Sequence, residues 1–399
     1  MSPSQEEHFL STDNPRLDID RIIDDRRTRI IVCCGSGGVG KTTTAAAIGL
    51  RAAERGRQVC VLTVDPARRL AQSMGLMSLD NTPRLVDDIG DENGGSLHAM
   101  MLDMKRTFDE IVEAHADPAR AAQILANPFY QSLSSSFAGT QEYMAMEKLG
   151  QLRRSDEWDL IVVDTPPSRS ALDFLDAPER LGRFLDGRLI KLLTAPVKAS
   201  RPFGRVLNAG FSMMTGAMTK LLGAQVLRDA QTFVTAFDTM FGGFRERAEA
   251  TYKLLQAPGT SFLVIATPEP DALREASYFV ERLAEERMPL AGLILNRVHS
   301  LTGNGTGIVQ LSAARSLAAA ETLEAIPNEG ADNASSASYS VTAAALRLHA
   351  ERMNLGERER RVAGSFTSTH PAVPVIEVPA LPEDVHDLAG LRRVGEAFA

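Results

Sequence analysis

Residues Cys33 to Thr44 read CCGSGGVGKTTT, and the fold follows from this stretch. From Gly35 to Thr42 it matches a glycine, four unrestricted positions and then Gly-Lys-Thr. Glycines let the backbone turn tightly enough for its N–H groups to face phosphate oxygens. Gly35, Gly37, Gly38, Val39 and Gly40 therefore form a candidate cradle, continued by Lys41, Thr42 and Thr43. Lys41 can reach β- and γ-phosphates, and the Thr42 hydroxyl can bind Mg²⁺. An apolar run precedes the loop at 30–34 and a helical pattern follows it at 42–55. A chance glycine-rich turn lacks that setting, so the stretch reads as a nucleotide-binding P-loop.

Working outward, short β-rich apolar runs recur at 30–34, 58–64, 97–103, 160–164, 261–267, 290–296 and 373–378. Several are continuously apolar, such as LIVVD at 160–164, as strands buried on both faces of a parallel sheet should be. Helical patterns alternate with them, for example at 271–287. The expected fold is α/β, a doubly wound, mostly parallel sheet with ligands at the carboxyl ends of its strands. Residues 105–155 and 172–256 carry few strand signals and read as an inserted helical subdomain. Residues 1–27 read as a polar N-terminal tail, 28–399 as the P-loop domain, and 329–340 as a mobile loop of low complexity.

Hydrophobic residues make up 44% of the 399 residues and charged residues 24%, with a formal net charge of -8. An acidic balance argues against a nucleic-acid footprint. The N-terminus has no apolar h-region, and no run reaches the roughly 18 apolar residues of a spanning helix. A cytoplasmic location without stable membrane insertion is the expectation. Cys33, Cys34 and Cys60 form no CxxC pair, which fits a reducing compartment and leaves no cysteine zinc site. The histidines show no ligand spacing, so no metal beyond Mg²⁺ is expected.

Two carboxylates complete the chemistry. WDLIVVDTPPS delivers Asp164 to a strand end, where it can bind Mg²⁺ directly or through water. LTVDPARRL puts Asp65 at the end of the second strand. There it either orients an attacking water or caps the turn at Pro66.

With these motifs in place, the chain resembles the arsenite-pump and tail-anchored-protein-targeting (guided-entry) ATPases, from about residue 28 to 399. That family carries a deviant Walker A loop, G-K-G-G-x-G-K-T, a D-P-A-H-N-L switch I and a D-T-A-P-T-G-H switch II. Here they read GSGGVGKT, DPARRL and DTPPSRS. The resemblance implies ATP and Mg²⁺ as cofactors. Lys41, Asp65 and Asp164 take the catalytic positions, with Thr42, Asp65 and Asp164 grouped around the metal. Asn296 in LILNRV matches the asparagine that reads the adenine edge, although it can equally cap its strand. VPALPEDV, residues 378–385, resembles the segment that packs around adenine, through Pro379 to Leu381.

Three departures matter. Arg68 and Arg69 replace His-Asn in switch I, Arg169 replaces the switch II glycine, and Ser36 replaces the signature lysine. In the family that lysine reaches across a dimer to phosphates on the other subunit. A homodimer here would lack it twice. Either Arg68, Arg69 or Arg169 supplies the charge in cis, or a lysine-bearing paralogue supplies it in trans. The second is favoured, because the rest of the loop is intact. The zinc-binding CxxC and the arsenite-binding cysteines of relatives are missing, so metalloid transport is not expected.

Within the insertion, Leu207, Phe211, Met214, Met218 and Leu221 share one helical face. Periodicity favours a packed bundle helix, whereas the resemblance implies a groove for an apolar helical client. Glu142 and Glu147 read as a solvated helix face near Met144 and Met146. The expected function is a Mg²⁺-dependent ATPase whose nucleotide state switches a dimer and a client or partner surface. A weakly hydrolysing partner subunit and a partition- or septum-type positioning ATPase are the alternatives.

Overall fold

The structure is a computed structural model, and it describes residues 15–65, 69–89, 93–128, 130–131, 140–166, 246–299, 311–326 and 333–399. The continuous apolar runs become the centre of the sheet. β1 (Ile30–Cys34) and β5 (Leu160–Asp164) are buried along their whole length, which leaves no solvated face and demands helices on both sides. β2 (Gln58–Thr63), β3 (Arg84–Leu85), β4 (Ser96–Met101), β6 (Thr260–Ala266), β7 (Leu290–Val298) and β8 (Val375–Pro379) complete an eight-stranded sheet. Its order is β3-β4-β2-β5-β1-β6-β7-β8. All pairings are parallel except β3–β4. β3, short, exposed and antiparallel, was not foreseen; two residues carry no periodicity to read.

The chain leaves β1, passes over β5 and returns as β2, then later lays β6 on the other side of β1. That reversal is a topological switch point, where strand ends diverge and a crevice opens. Register decides which residues meet there. Cys33 and Thr63 both stand level with Asp164, and Asn296 stands level with Val378.

Helices α1 (Ile19–Asp24) and α2 (Lys41–Glu54) flank the loop strand, and α3 (Arg69–Ser73) follows switch I. Helices α4 (Met104–His115), α5 (Pro118–Leu125) and α6 (Thr140–Ser155) fill the first helical interval between β4 and β5. Beyond β6 come α7 (Pro270–Glu285), α8 (Ala313–Glu324), α9 (Asn333–Thr369) and α10 (Leu388–Glu396). Within the second helical interval, 246–256 is helical; the 207–221 stripe lies outside the described residues. No described helix is long and apolar enough to cross a membrane.

Three expectations are corrected. Residues 15–27 are no tail: Leu17, Ile19 and Ile23 are buried, and Leu17 N–H donates to the Val375 carbonyl at 3.1 Å. Arg57, only 1% exposed, holds the segment through the Ile23 and Thr28 carbonyls and Asp159. The charged residues between the apolar anchors had hidden them. Of the expected loop at 329–340, residues from Asn333 onward are the start of α9. Further along, α9 packs against α8 through small residues: Ala343 and Ala350 on α9 are buried, as are Ser316 and Ala320 on α8. Glu147 is no solvated carboxylate either. It is 4% exposed and accepts hydrogen bonds from Arg247 Nε at 3.0 Å and Arg154 at 3.2 Å. A cation brought in from a distant helix, as Arg247 is, is invisible to local periodicity.

Candidate functional site

The loop between β1 and α2 requires glycine at two places. Gly35 has φ 151°, and a Cβ there would lie 2.1 Å from the Ile265 carbonyl oxygen of β6. Gly40 caps α2 at φ 94°, and its Cβ would lie 2.3 Å from the Asn296 amide nitrogen. The loop is thus wedged against β6 and β7. Gly37 and Gly38 face solvent, and Val39 is buried. Unpaired N–H groups at the start of α2 add a positive field suited to an anion.

Lys41 is the first residue of α2 and is 5% exposed. Its ammonium donates to the Ser36 carbonyl at 2.7 Å, so Lys41 folds back along the loop. Burial lowers its pKa below the usual lysine value, partly offset by Asp164. Asp164 is fully buried at the end of β5. Its Oδ2 accepts from Thr42 Oγ1 at 2.7 Å and from Thr63 Oγ1 at 2.8 Å. Its Oδ1 is buried with no hydrogen-bond partner. Burial pushes the Asp164 carboxyl up to about 6, against the pull of the two hydroxyls and Lys41. A buried carboxylate oxygen left unmatched beside a hydroxyl is the donor set a hard divalent cation takes.

Thr63 also accepts the Asp65 N–H, at 3.2 Å. One hydroxyl therefore fixes the start of switch I and the Asp164 carboxylate in a single frame. Asp65 is half-buried two residues beyond it.

The other end of the site is a cavity of ≈ 660 Å³. Gly40, Thr43, Asn296, Pro379 and Leu381 line it together, although they come from α2, β7 and the end of β8. Asn296 is 8% exposed and donates its amide N–H to the Val39 carbonyl at 2.8 Å. It does more than cap its strand: it clips β7 to the P-loop. A bulge follows between Asn296 and Val298, and Arg297 there adopts φ 60°. Bulges re-aim side chains. Here the Arg297 guanidinium donates to the Gly38 carbonyl at 3.2 Å.

Comparison with known proteins supplies the family. A profile of the anion-transporting ATPase family matches residues 28–329. The chain belongs to that family. It is 25% identical over 282 residues to ATPase GET3 of Ajellomyces dermatitidis, covering 70% of this chain and 76% of that one. ATPase GET3 of Malassezia globosa is 25% identical over 281 residues, again covering 70% and 76%. That of Podospora anserina is 26% identical over 281 residues with the same coverage. The chain is accordingly an ATP hydrolase that binds nucleotide.

The structure brings Lys41, Thr42 and Asp164 together, with Asp65 tied in through Thr63. Asn296, Pro379 and Leu381 meet at the cavity. Arg68 and Arg169 lie outside the described residues, as does the Arg69 side chain. Thr63, Arg297 and His299 escaped sequence reading. A hydroxyl two residues before Asp65 was the available signal for Thr63; a left-handed arginine leaves none. Cys33, Cys34 and Cys60 are buried on strands as expected. Burial holds their thiols protonated, with Cys34 and Cys60 pushed up to about 12.

Proposed function

We propose that the chain hydrolyses ATP with Mg²⁺ and uses its nucleotide state to switch a dimer. The observation that carries this reading is Asp164, whose bare, buried Oδ1 sits beside the Thr42 hydroxyl at the mouth of the P-loop. Thr42 and Asp164 would hold the metal, and Asp65 would share a water with it. Bound Mg²⁺ supplies charge that neutralises the β- and γ-phosphate oxygens. Lys41, released from the Ser36 carbonyl, would bind the same oxygens. Asp65 would orient the attacking water and accept its proton as the bond from γ-phosphorus to the bridging oxygen breaks.

Ser36 is too short to place charge on an opposing subunit. The favoured completion is a paralogue that contributes lysine in trans, which makes this chain the housing of the active centre in a heterodimer. By resemblance to the targeting ATPases, the surface switched by nucleotide would receive an apolar helical client, with 207–221 as the candidate face. The test is turnover of the purified chain alone and with the lysine-bearing paralogue, alongside Asp65→Asn. Asp65→Asn should bind ATP normally and lose about a hundredfold in kcat. The paralogue should raise the wild-type rate. Full activity of the isolated chain would remove the trans-lysine reading, and wild-type turnover by Asp65→Asn would reduce Asp65 to a turn residue.

A further inference from the structure

We infer that His299 is a further base-reading residue, held by Glu359 of α9 so that it accepts a hydrogen bond from the exocyclic amino group of adenine and selects adenine over guanine nucleotides. The inference rests on reading the cavity beside the P-loop as the base end of the nucleotide site. His299 directly follows β7 and lines that cavity together with Asn296, Pro379 and Leu381. Two contacts lock it in place. Its backbone N–H donates to Glu359 Oε2 at 2.9 Å, and its ring Nδ1 lies 2.7 Å from Glu359 Oε1. The side chain of Glu359 is 7% exposed, whereas that of His299 is 38% exposed, so the pair is anchored at its α9 end and open at the imidazole.

The chemistry follows from the donor inventory. A carboxylate only accepts, so the ring hydrogen sits on Nδ1. In the neutral ring Nε2 is then a lone-pair acceptor, and among the described residues it has no protein partner. Adenine carries an N6 amino donor where guanine carries the O6 acceptor. An acceptor fixed on the cavity wall matches the first and opposes the second. Asn296 stands on the same cavity wall, its amide orientation fixed by the hydrogen bond to the Val39 carbonyl. Glu359 is a positioning residue: it touches no ligand and sets the tautomer of the residue that does. It also ties the cavity wall to α9, the helix packed along α8.

The test is fluorescence titration of ATP and GTP into wild type, His299→Asn and Glu359→Gln at mildly alkaline pH. Asparagine keeps a donor at the place of Nδ1 and deletes Nε2. Wild type should prefer ATP by about tenfold or more, and His299→Asn should bring the two affinities to within about twofold, chiefly by weakening ATP. Glu359→Gln offers an amide N–H to Nδ1, which moves the ring hydrogen to Nε2 and shifts preference towards GTP. ¹⁵N chemical shifts of the ring read the tautomer directly and do not depend on either variant folding. An unchanged ATP-to-GTP ratio in variants that still bind ATP, or a wild-type ring hydrogen on Nε2, would overturn the inference. A wild-type chain that binds no ATP would overturn the base-site reading itself.

Discussion

The phosphate end and the base end of the site are built differently. At the phosphate end, three hydroxyl and carboxylate groups share two short hydrogen bonds on Asp164 Oδ2, with Asp164 and Thr63 buried. At the base end, residues from α2, β7 and the end of β8 line an open cavity, and Asn296 and Arg297 reach back to the loop. The first is preorganised around an unmatched charge; the second is a shaped space. Chemistry on phosphate needs fixed groups that do not reorganise as charge develops. Recognition of a base needs a wall with a few correctly oriented donors and acceptors.

Breaking the phosphate end should have the largest effect. Asp164→Asn keeps the shape and removes the charge available to a cation, so turnover should fall by at least about a hundredfold. The same change removes a desolvated carboxylate from the core. Without nucleotide the variant should therefore melt no lower than wild type, because desolvating the charge outweighs what its two hydroxyl partners return. Steady-state kinetics and thermal melts check the two halves. A large loss of stability with little loss of rate would reverse the comparison.

Breaking the base end should matter less. Asn296→Ala removes a hydrogen bond to the loop and part of the cavity wall. ATP affinity should weaken by about tenfold with kcat changed little, since the phosphate frame survives. Binding isotherms and initial rates separate the two. An equal loss in kcat would mean that Asn296 holds the P-loop for catalysis and does not serve the base end.

The smallest effect lies behind both ends, where Asp20 of α1 meets Arg51 of α2 at 2.5 Å and 2.6 Å. The hydrogen bond from Arg51 holds the Asp20 carboxyl below its ordinary value. A depressed folded pKa gives stability that is present above the unfolded value, roughly 3.9, and is lost as pH falls through the folded one. Asp20→Asn should cost about 1 kcal/mol near neutrality, discounted for partial exposure, and nothing in acid below both values. Urea melts across pH measure it. A difference that persists in acid would assign the loss to packing.

The same contrast explains what could be read from sequence. The phosphate loop is contiguous, so Gly35 to Thr43 declares itself with its strand and helix. Asp164 and Asp65 end apolar runs, which periodicity finds. Asn296, Pro379 and Leu381 needed the resemblance, because their chemistry depends on strands that become neighbours only in the sheet. His299 and Glu359 stand 60 positions apart, and neither carries a motif. Arg297 depends on a bulge, and Glu147 on a cation from a helix about a hundred residues away. Residues 15–27 were misjudged for a related reason: charged residues outnumber the few apolar ones that dock them.

The most direct measurement is calorimetric titration of ATP with Mg²⁺ into wild type and Lys41→Ala. A P-loop whose buried lysine and backbone amides bind the triphosphate predicts one nucleotide per chain. Lys41→Ala should then weaken affinity by at least about a hundredfold, in line with losing a charge-assisted contact. Equal affinity in the two proteins would contradict the assignment of this loop as the phosphate site.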